Sequence, residues 1–476
     1  MSFWLFEPDE GRYAEIPREM LARGEWIVPY LQGQPYLDKP PLLYWLVMGS
    51  YRLLGVHDWS ARLVPALAIH LCILLTYLLG CRVVGERSAF WGAMLLSIAP
   101  GFISVGRLLV LDGLLALWIT LALLAAWESM RGERLRWTWW LLSAAACALG
   151  LLTKGPVALV LFAVPLLAYF LLSPPACRPG RAALLGFTIV ALAIALPWYV
   201  AVCIRLPAFA GYFLWTHNVI RFLSPFDHQQ PIWFYAPILF AGLLPASLIG
   251  KSWLRFLFSA DPECASRRFP GLGFLLLAGL WCLLFFTLSG CKLPTYILPA
   301  FPPLCLALGY FAAECWSGSR LLRPVLGVAG ALLLAAHYVA IPWYAKFHSP
   351  MSRAVDVLRY CGDPDTPVVC YPRNCDSVAF YAGRDDFRSF RTKERADLLR
   401  FLEGYPRSVL LFTHRSSPEG LRAILPPHMR LTNLVPVSRS WARTFKTEFC
   451  YMGMVLNSSP ALGRANLLAS RSDSLR

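Results

Sequence analysis

Long apolar runs separated by short polar loops fill the first 345 residues. Runs long enough to cross roughly 30 Å of hydrocarbon lie at about 62–82, 88–104, 108–128, 137–153, 156–173, 182–203, 232–250, 271–289, 294–315 and 321–343. The pattern predicts a transmembrane bundle of ten spans over residues 61–345. Ahead of it, residues 7–60 read as an external segment whose helices, with Ile16, Met20 and Leu21 on an apolar side, lie along the membrane interface. Behind the bundle the period changes. Strand-like runs at Val368–Tyr371 and Val409–Phe412 alternate with helical stretches such as Lys393–Leu402, which predicts a small α/β domain over 346–457. A Ser/Arg-rich tail, 458–476, reads as frayed. The fold class expected is therefore mainly α: a polytopic membrane bundle with a C-terminal soluble α/β domain.

The loops orient the bundle. Arg82, Arg87, Arg131, Arg134, Arg136, Arg178, Arg181, Lys251, Arg255, Arg267, Arg268, Arg320 and Arg323 fall in one set of loops. The alternate set holds only Arg107, Lys154, Arg205, Arg221 and Lys292. Cationic loops stay in the cytoplasm, so the segment 7–60 and the C-terminal domain are both expected outside. Something must then carry residue 7 across. Met1–Phe6 is too short to span and reads as the remnant of a first transmembrane helix, which predicts a start upstream of Met1 or a truncated chain; no signal peptide is recognisable.

Composition strengthens this picture. Of 476 residues, 57% are apolar or aromatic and 15% charged, against roughly 25% charged in an average soluble domain. Mean hydropathy is +0.52. Disordered, fibrous and disulfide-stapled classes are excluded. The net charge of +16 is spread over loops, with +8 from Lys346 onward, and no basic run interleaves with aromatics as a nucleic-acid groove requires. A basic chain on apolar spans faces anionic headgroups instead. Ten of the 14 cysteines lie at or before Cys315, mostly inside apolar runs, as small packing residues. Cys361, Cys370, Cys375 and Cys450 could pair if their domain is extracytoplasmic.

Charge on the external side is the informative feature, because a bundle that merely spans has no use for it there. Glu7-Pro8-Asp9-Glu10-Gly11-Arg12-Tyr13 sets three carboxylates and a cation at a membrane boundary; a solvated helix start is the plainer alternative. In Tyr36-Leu37-Asp38-Lys39-Pro40-Pro41, two prolines suit a first helical turn, which places Lys39 where backbone N–H groups favour an anion. His217 and Arg221 are four apart and share a helix face. Lys292-Leu293-Pro294-Thr295-Tyr296 offers a cation and a phenol at a kinked re-entry, and Arg107 with Asp112, and Lys154, complete the set.

These motifs carry a resemblance. EPDEGRYAEIPREML, YLDKPPLLYWL, the Arg107–Asp112 pair, LTKGP, HNVIRF and KLPTYILP occur in that order, over roughly residues 7–300. Together they resemble the ArnT family, aminoarabinose transferases to lipid A within the GT-C membrane glycosyltransferases, which also include protein O-mannosyltransferases. The resemblance implies the GT-C fold in a bacterial inner membrane, with the catalytic face and the C-terminal domain periplasmic. It implies a sugar donor on polyprenyl phosphate, such as undecaprenyl phosphate, and transfer with inversion to an outer-leaflet acceptor such as lipid A, another glycolipid or a protein. A departing prenyl phosphate gains negative charge and needs fixed cations; Arg12, Lys39 and Arg221, with the Tyr296 hydroxyl, are the candidates. Asp9 is expected to serve the reacting sugar as carboxylate, with Glu10 and Asp112 lining the sugar or acceptor pocket. Tyr13, Tyr36, Arg107, Lys154 and Lys292 are expected to support it. No cofactor is expected to be required; Asp38 and His217 could share a divalent metal in the manner suggested for the family.

The rival class is a transporter or flippase of polyprenyl-linked lipid. It would set charges near the midplane on broken helices, commonly within an inverted repeat. No such repeat is visible, and the charges gather at the outer ends of spans.

Overall fold

The computed structural model describes residues 3–172, 177–224, 228–315, 319–340, 342–343, 349–414, 422–441 and 447–458. The expected tail lies outside them, apart from Ser458. The chain divides into two compact units: Met1–Gly24, Tyr30–Pro35 and Tyr338–Arg476 form one, and Glu25–Pro29 with Tyr36–His337 the other. The segment 7–60 is thus split rather than a single external piece. Its first helix, α1 (Asp9–Arg23), belongs to the first unit.

The second unit is helical. Its principal helices are α2 (Leu42–Leu54), α3 (Asp58–Val84), α4 (Glu86–Ile98), α5 (Asp112–Ser129), α6 (Trp137–Lys154), α7 (Val157–Leu172), α8 (Arg181–Arg205), α9 (Pro270–Leu288), α10 (Phe301–Tyr310) and α11 (Ser319–Ala335). Every one of the ten apolar runs carries helix. Five helices, namely α3, α5, α8, α9 and Pro294–Cys315, are long and apolar enough to cross a membrane. The number rises to seven if each of two bent pairs is one span: Glu86–Ser97 with Pro100–Arg107, bent by 61°, and Ile232–Gly242 with Ala246–Phe258, bent by 105°. The first bend falls at Pro100, where a ring without an N–H ends the preceding helical ladder.

The helix surfaces say what surrounds them. Leu67, Leu71, Leu74 and Leu78 of α3 recur at helical spacing, and each is about half exposed. In water such a stripe would be an association patch; in a bilayer it meets hydrocarbon. The central helix is α5, whose span is 83% buried. It packs against α3, α6 and the 3-10 segment Pro294–Ala300.

In the first unit, β3 (Val368–Tyr371) lies parallel to β4 (Arg388–Ser389) and β5 (Arg407–His414), and β7 (Thr447–Asn457) is antiparallel to both β5 and β6 (Met429–Trp441). The sheet order is β4-β3-β5-β7-β6. Strands β1 (Tyr30–Leu31) and β2 (Gln34–Pro35) form a separate hairpin. Helices α12 (Ala354–Cys361), α13 (Asp376–Ala382) and α14 (Arg395–Glu403) complete the unit. The sheet carries a core on each face, one with Val368, Val409 and Leu411, the other with Val369, Leu398 and Leu410. Cys361, Cys370, Cys375 and Cys450 are thiols within the first of these cores.

Helix α1 packs against α13. Gly11 makes this possible, because a Cβ there would fall 2.5 Å from the Ser377 amide nitrogen. Ile16 and Met20 are fully buried, so α1 is a packed element and not the free interfacial helix read from its sequence. Residues 3–6 are not helical; Leu5 is buried, its amide donating to the Tyr381 hydroxyl at 3.2 Å and its carbonyl accepting from Ser349 at 3.0 Å.

Candidate active site

One group of charges in the helical unit begins in the loop ahead of α2. Pro41 is the residue before the first helical position and Pro40 precedes it, so the prolines stiffen the approach to α2 rather than occupy its first turn. Lys39 is fixed just upstream. Its ammonium lies 2.8 Å from His217 Nε2, and Arg221 Nη1 lies 3.3 Å from the same nitrogen. Both partners are obligate donors, so Nε2 accepts and the imidazole is neutral with its proton on Nδ1. That side of the ring faces Asp38, whose Oδ1 is 3.9 Å from Nδ1 and accepts from the Tyr212 hydroxyl at 2.6 Å. His217 and Arg221 do share a face, although the carrying segment, Gly211–Ile220, winds as a π-helix before returning to α-geometry at Arg221.

A second group forms where α5 begins and α6 ends. Asp112, the first residue of α5, pairs with Lys154, the last residue of α6. Each charge has the sign its helix end favours. Thr295 Oγ1 donates to the other Asp112 oxygen at 2.9 Å, and the Lys154 ammonium stands 4.1 Å from the centre of the Tyr296 ring. Gly155 stops α6 directly after Lys154 with φ +84, and a Cβ there would meet the Phe213 ring at 2.7 Å. Phe213 stacks on His217, at 6.1 Å and 13°. The two groups are therefore joined by packing.

They are also joined by field. Burial lowers the Lys39 ammonium from its ordinary range to about 8; Asp38 and Asp112 oppose the shift, while Arg221 and Lys154 add to it. Charges from both groups thus act on one ammonium. Three cations and a neutral imidazole gathered against two carboxylates make a receptor for an anion with several oxygens. They do not make a cation site. The accepting nitrogen of His217 is engaged by Lys39 and Arg221, and no group of three or more His, Cys, Asp or Glu suited to a metal occurs among the described residues. The Asp38–His217 pair does not fit a divalent metal.

Three other expected residues lie outside the principal helices of the unit. Lys292 donates to the Ser289 carbonyl, just beyond α9, and to the Gln230 carbonyl of an earlier loop, tying down the loop that leads to Thr295. Tyr36 is held by its amide to the Pro29 carbonyl at 2.8 Å, and Arg107 is buried in the turn before α5.

Asp9, Glu10, Arg12 and Tyr13 lie in the sheet unit, on α1. Asp9 is about half exposed and sits 3.6 Å from Arg12. Arg12 also reaches Asp376, fully buried at the start of α13, at 3.9 Å. Glu10 is buried and accepts from the Phe6 amide at 3.0 Å, and Tyr13 is buried. Glu7, quoted in its motif but given no role from sequence, accepts from the Ser377 amide at 2.6 Å and from its hydroxyl. Burial, and then the Asp376 carboxylate, raise the Glu7 carboxyl well above the usual range. Thr295 and Tyr212 were likewise passed over. An uncharged hydroxyl in an apolar stretch gives no signal in sequence until its partner is known.

The helical unit also holds an apolar groove of about 570 Å³, lined by residues that include Ile98, Leu244, Leu248, Val328 and Leu332.

Comparison with known proteins agrees with this architecture. Residues 2–213 match the family described as dolichyl-phosphate-mannose-protein mannosyltransferase. The undecaprenyl phosphate-alpha-4-amino-4-deoxy-L-arabinose arabinosyl transferase 1 of Pseudomonas fluorescens is 35% identical over 349 residues, 72% of this chain and 60% of that protein. The corresponding transferase of Yersinia enterocolitica is 35% identical over 347 residues, 70% of this chain and 60% of its own length. The match thus spans about three fifths of the length of these relatives. In fold, the crystal structure of ArnT from Cupriavidus metallidurans bound to undecaprenyl phosphate superposes with a TM-score of 0.75 at 21% identity, covering 94% of each chain, and its apo form with 0.73. In fold, in its ordered motifs and in these relatives, the chain is similar to the ArnT-like family of GT-C membrane glycosyltransferases.

Proposed function

We propose that the protein transfers a sugar, 4-amino-4-deoxy-L-arabinose or a related one, from a polyprenyl-phosphate donor to an outer-leaflet acceptor such as lipid A. The proposal includes a bacterial inner membrane location with the site on the periplasmic face. The observation that carries it is the pairing of Lys39 and Arg221 around one neutral imidazole, close enough to Asp112 and Lys154 for all four charges to share a field.

In the reaction the bond between the anomeric carbon and the donor phosphate oxygen breaks, and its electron pair leaves with the polyprenyl phosphate. An acceptor oxygen attacks from the opposite face, so the anomeric centre inverts. The leaving phosphate gains negative charge in the transition state. Lys39 and Arg221 meet that charge from fixed positions and gain most when it is largest. The Tyr296 hydroxyl is proposed as a further donor to the phosphate. Lys154, held by Asp112, adds positive potential without spending its ammonium on the leaving group. Asp112 keeps one oxygen on Thr295, an arrangement suited to orienting sugar hydroxyls. An acceptor phosphate is already ionised and needs no general base. The carboxylate role proposed for Asp9 is then stabilisation of the oxocarbenium-like sugar. The apolar groove suits a polyprenyl chain.

The test is transfer of labelled sugar in proteoliposomes that hold donor and acceptor on one face. The expected result is labelled acceptor, with Lys39→Ala and Asp9→Asn each losing most of the activity while remaining folded in the membrane. Donor that crosses the bilayer without any transfer would instead establish a transporter.

A further inference from the structure

The helical unit carries a second charged cluster at the other ends of the helices that build the site. Glu128 lies one residue before the end of α5, and its carboxylate is almost wholly buried, at 1% exposure. Three guanidiniums converge on it. Arg82 Nη1, from the last turn of α3, donates to Glu128 Oε1 at 2.9 Å. Arg136, the residue that precedes α6, donates to the same oxygen. Arg131 Nε lies 3.6 Å from Oε2, and its Nη1 also caps α3 by donating to the Arg82 carbonyl at 3.1 Å.

One carboxylate cannot neutralise three guanidiniums. Each arginine side chain remains 44–45% exposed while the glutamate between them is shut away. The cluster therefore has an inner side, where the buried carboxylate is ion-paired, and an outer side of fork-shaped donors with a net positive charge. The two loops involved, 82–87 and 128–136, hold five arginines (82, 87, 131, 134 and 136) against three glutamates (86, 128 and 133). Aromatic rings flank it at the level expected of an interface: Arg82 stacks over Trp139 at 5.2 Å, and Trp137 is 45% exposed. Because α5 crosses the bundle between Asp112 and Glu128, this cluster faces the opposite membrane surface from the candidate active site.

We infer that Arg82, Arg131 and Arg136, pre-set by Glu128, bind the phosphate headgroup of an anionic phospholipid in the leaflet opposite the site. The glutamate holds the forks apart and aimed outward, so little ordering remains to be done when a phosphodiester arrives. The inference rests on the helical unit crossing a membrane and not on the sugar or acceptor proposed above.

The test is native mass spectrometry and thermal unfolding of the full chain in detergent, titrated with phosphatidylglycerol, phosphatidylcholine or inorganic phosphate. Phosphatidylglycerol alone should be retained and should raise the unfolding temperature. Arg131→Gln and Arg136→Gln should each weaken retention about fivefold. Arg134→Gln, in the same loop but outside the Glu128 cluster, should change it little. Equal retention of phosphatidylcholine, or unaltered binding by both cluster variants, would overturn the inference. So would an equal effect of Arg134→Gln, which would mark a diffuse field. Stabilisation by inorganic phosphate to the same degree would overturn the lipid as ligand. Should Arg136→Gln fail to fold, Arg131→Gln decides: it removes the 3.6 Å contact with Glu128 and the cap on the Arg82 carbonyl, while Arg82 and Arg136 keep their bonds to Glu128 Oε1.

Discussion

An ammonium crowded by other cations releases its proton more readily than one in water, and Lys39 is in that position. Its proton leaves at a pH of about 8, first through burial and then through Arg221 and Lys154. Donor phosphate should therefore bind less tightly as pH rises through 8. The stability of the donor-free protein moves the other way. Between about 8 and 10.5 the unfolded chain holds a proton that the folded one has lost, so this residue makes folding more favourable as pH climbs. Donor affinity and donor-free unfolding, each measured from pH 7 to 10, check both signs; a flat affinity profile would remove Lys39 from the phosphate site. Lys39→Ala should lower kcat/KM by about 10²–10³-fold, the range for loss of one preorganised donor to developing charge. In the sheet unit Glu15, buried beside Arg18, has its carboxyl raised to about 8 by burial. Between about 4.5 and 8 the folded carboxyl keeps a proton that the unfolded one has released, so this group's contribution to stability falls as pH rises through that window. Glu15→Gln should flatten that part of the profile in thermal unfolding. At this scale the sequence was most legible where charge stood in an apolar setting: Lys39, Asp112, Lys154, His217 and Arg221 all meet their neighbours. Thr295, Tyr212 and Glu7 were not legible, because what they do depends on residues 183, 174 and 370 positions away.

Among elements, the joint between α6 and the segment Gly211–Ile220 controls alignment. Gly155 both ends α6 in a conformation that L side chains avoid and leaves room for Phe213, which stacks under His217. Gly155→Ala should cost about 1–3 kcal/mol from backbone strain alone, and it should depress kcat more than stability, because the displaced Phe213 carries the imidazole with it. Unfolding midpoint and turnover measured on the same preparation separate the two; unchanged turnover would show that the joint does not set His217. Thr295→Val makes a milder probe. It leaves Asp112 paired with Lys154 but removes one hydrogen bond to a charged group, worth about 1.5–3 kcal/mol, and turnover should fall while membrane insertion is retained. Helix positions were readable from apolar runs, and β3 and β5 from short β-branched stretches. The bends at residues 98–100 and 242–246 were not, since a run of uniform hydropathy looks alike whether its axis is straight or broken by 61° or 105°. Strands β6 and β7 escaped notice because polar residues interrupt them, and β6 has register shifts at Thr432/Val435 and Pro436/Ser438.

For the whole molecule, the two units make separate demands. Leu411→Ala in the sheet core should destabilise that unit by about 2–5 kcal/mol, seen as earlier proteolysis of 349–457 in the intact protein, with the helical unit's protection unaltered. Arg134→Ala, in the loop that joins the ends of α5 and α6 opposite to Asp112 and Lys154, should leave transfer unchanged. The division itself was only half legible: an α/β region after residue 346 stood out, but nothing local marks Asp9–Arg23 as its partner, because Gly11 and Glu7 join α13 from more than 360 residues away. The central helix sets one further dimension. Asp112 and Glu128 are sixteen residues apart on α5, about 24 Å at the rise of an α-helix, whereas the hydrocarbon slab is roughly 30 Å thick. A rod of that length cannot bring both of its charged ends to the headgroup planes, and tilting it only shortens its reach. At least one end lies in a well sunk below the surrounding lipid, and whichever polar group visits it must be drawn inward, so turnover and lipid retention alike should respond to acyl-chain length.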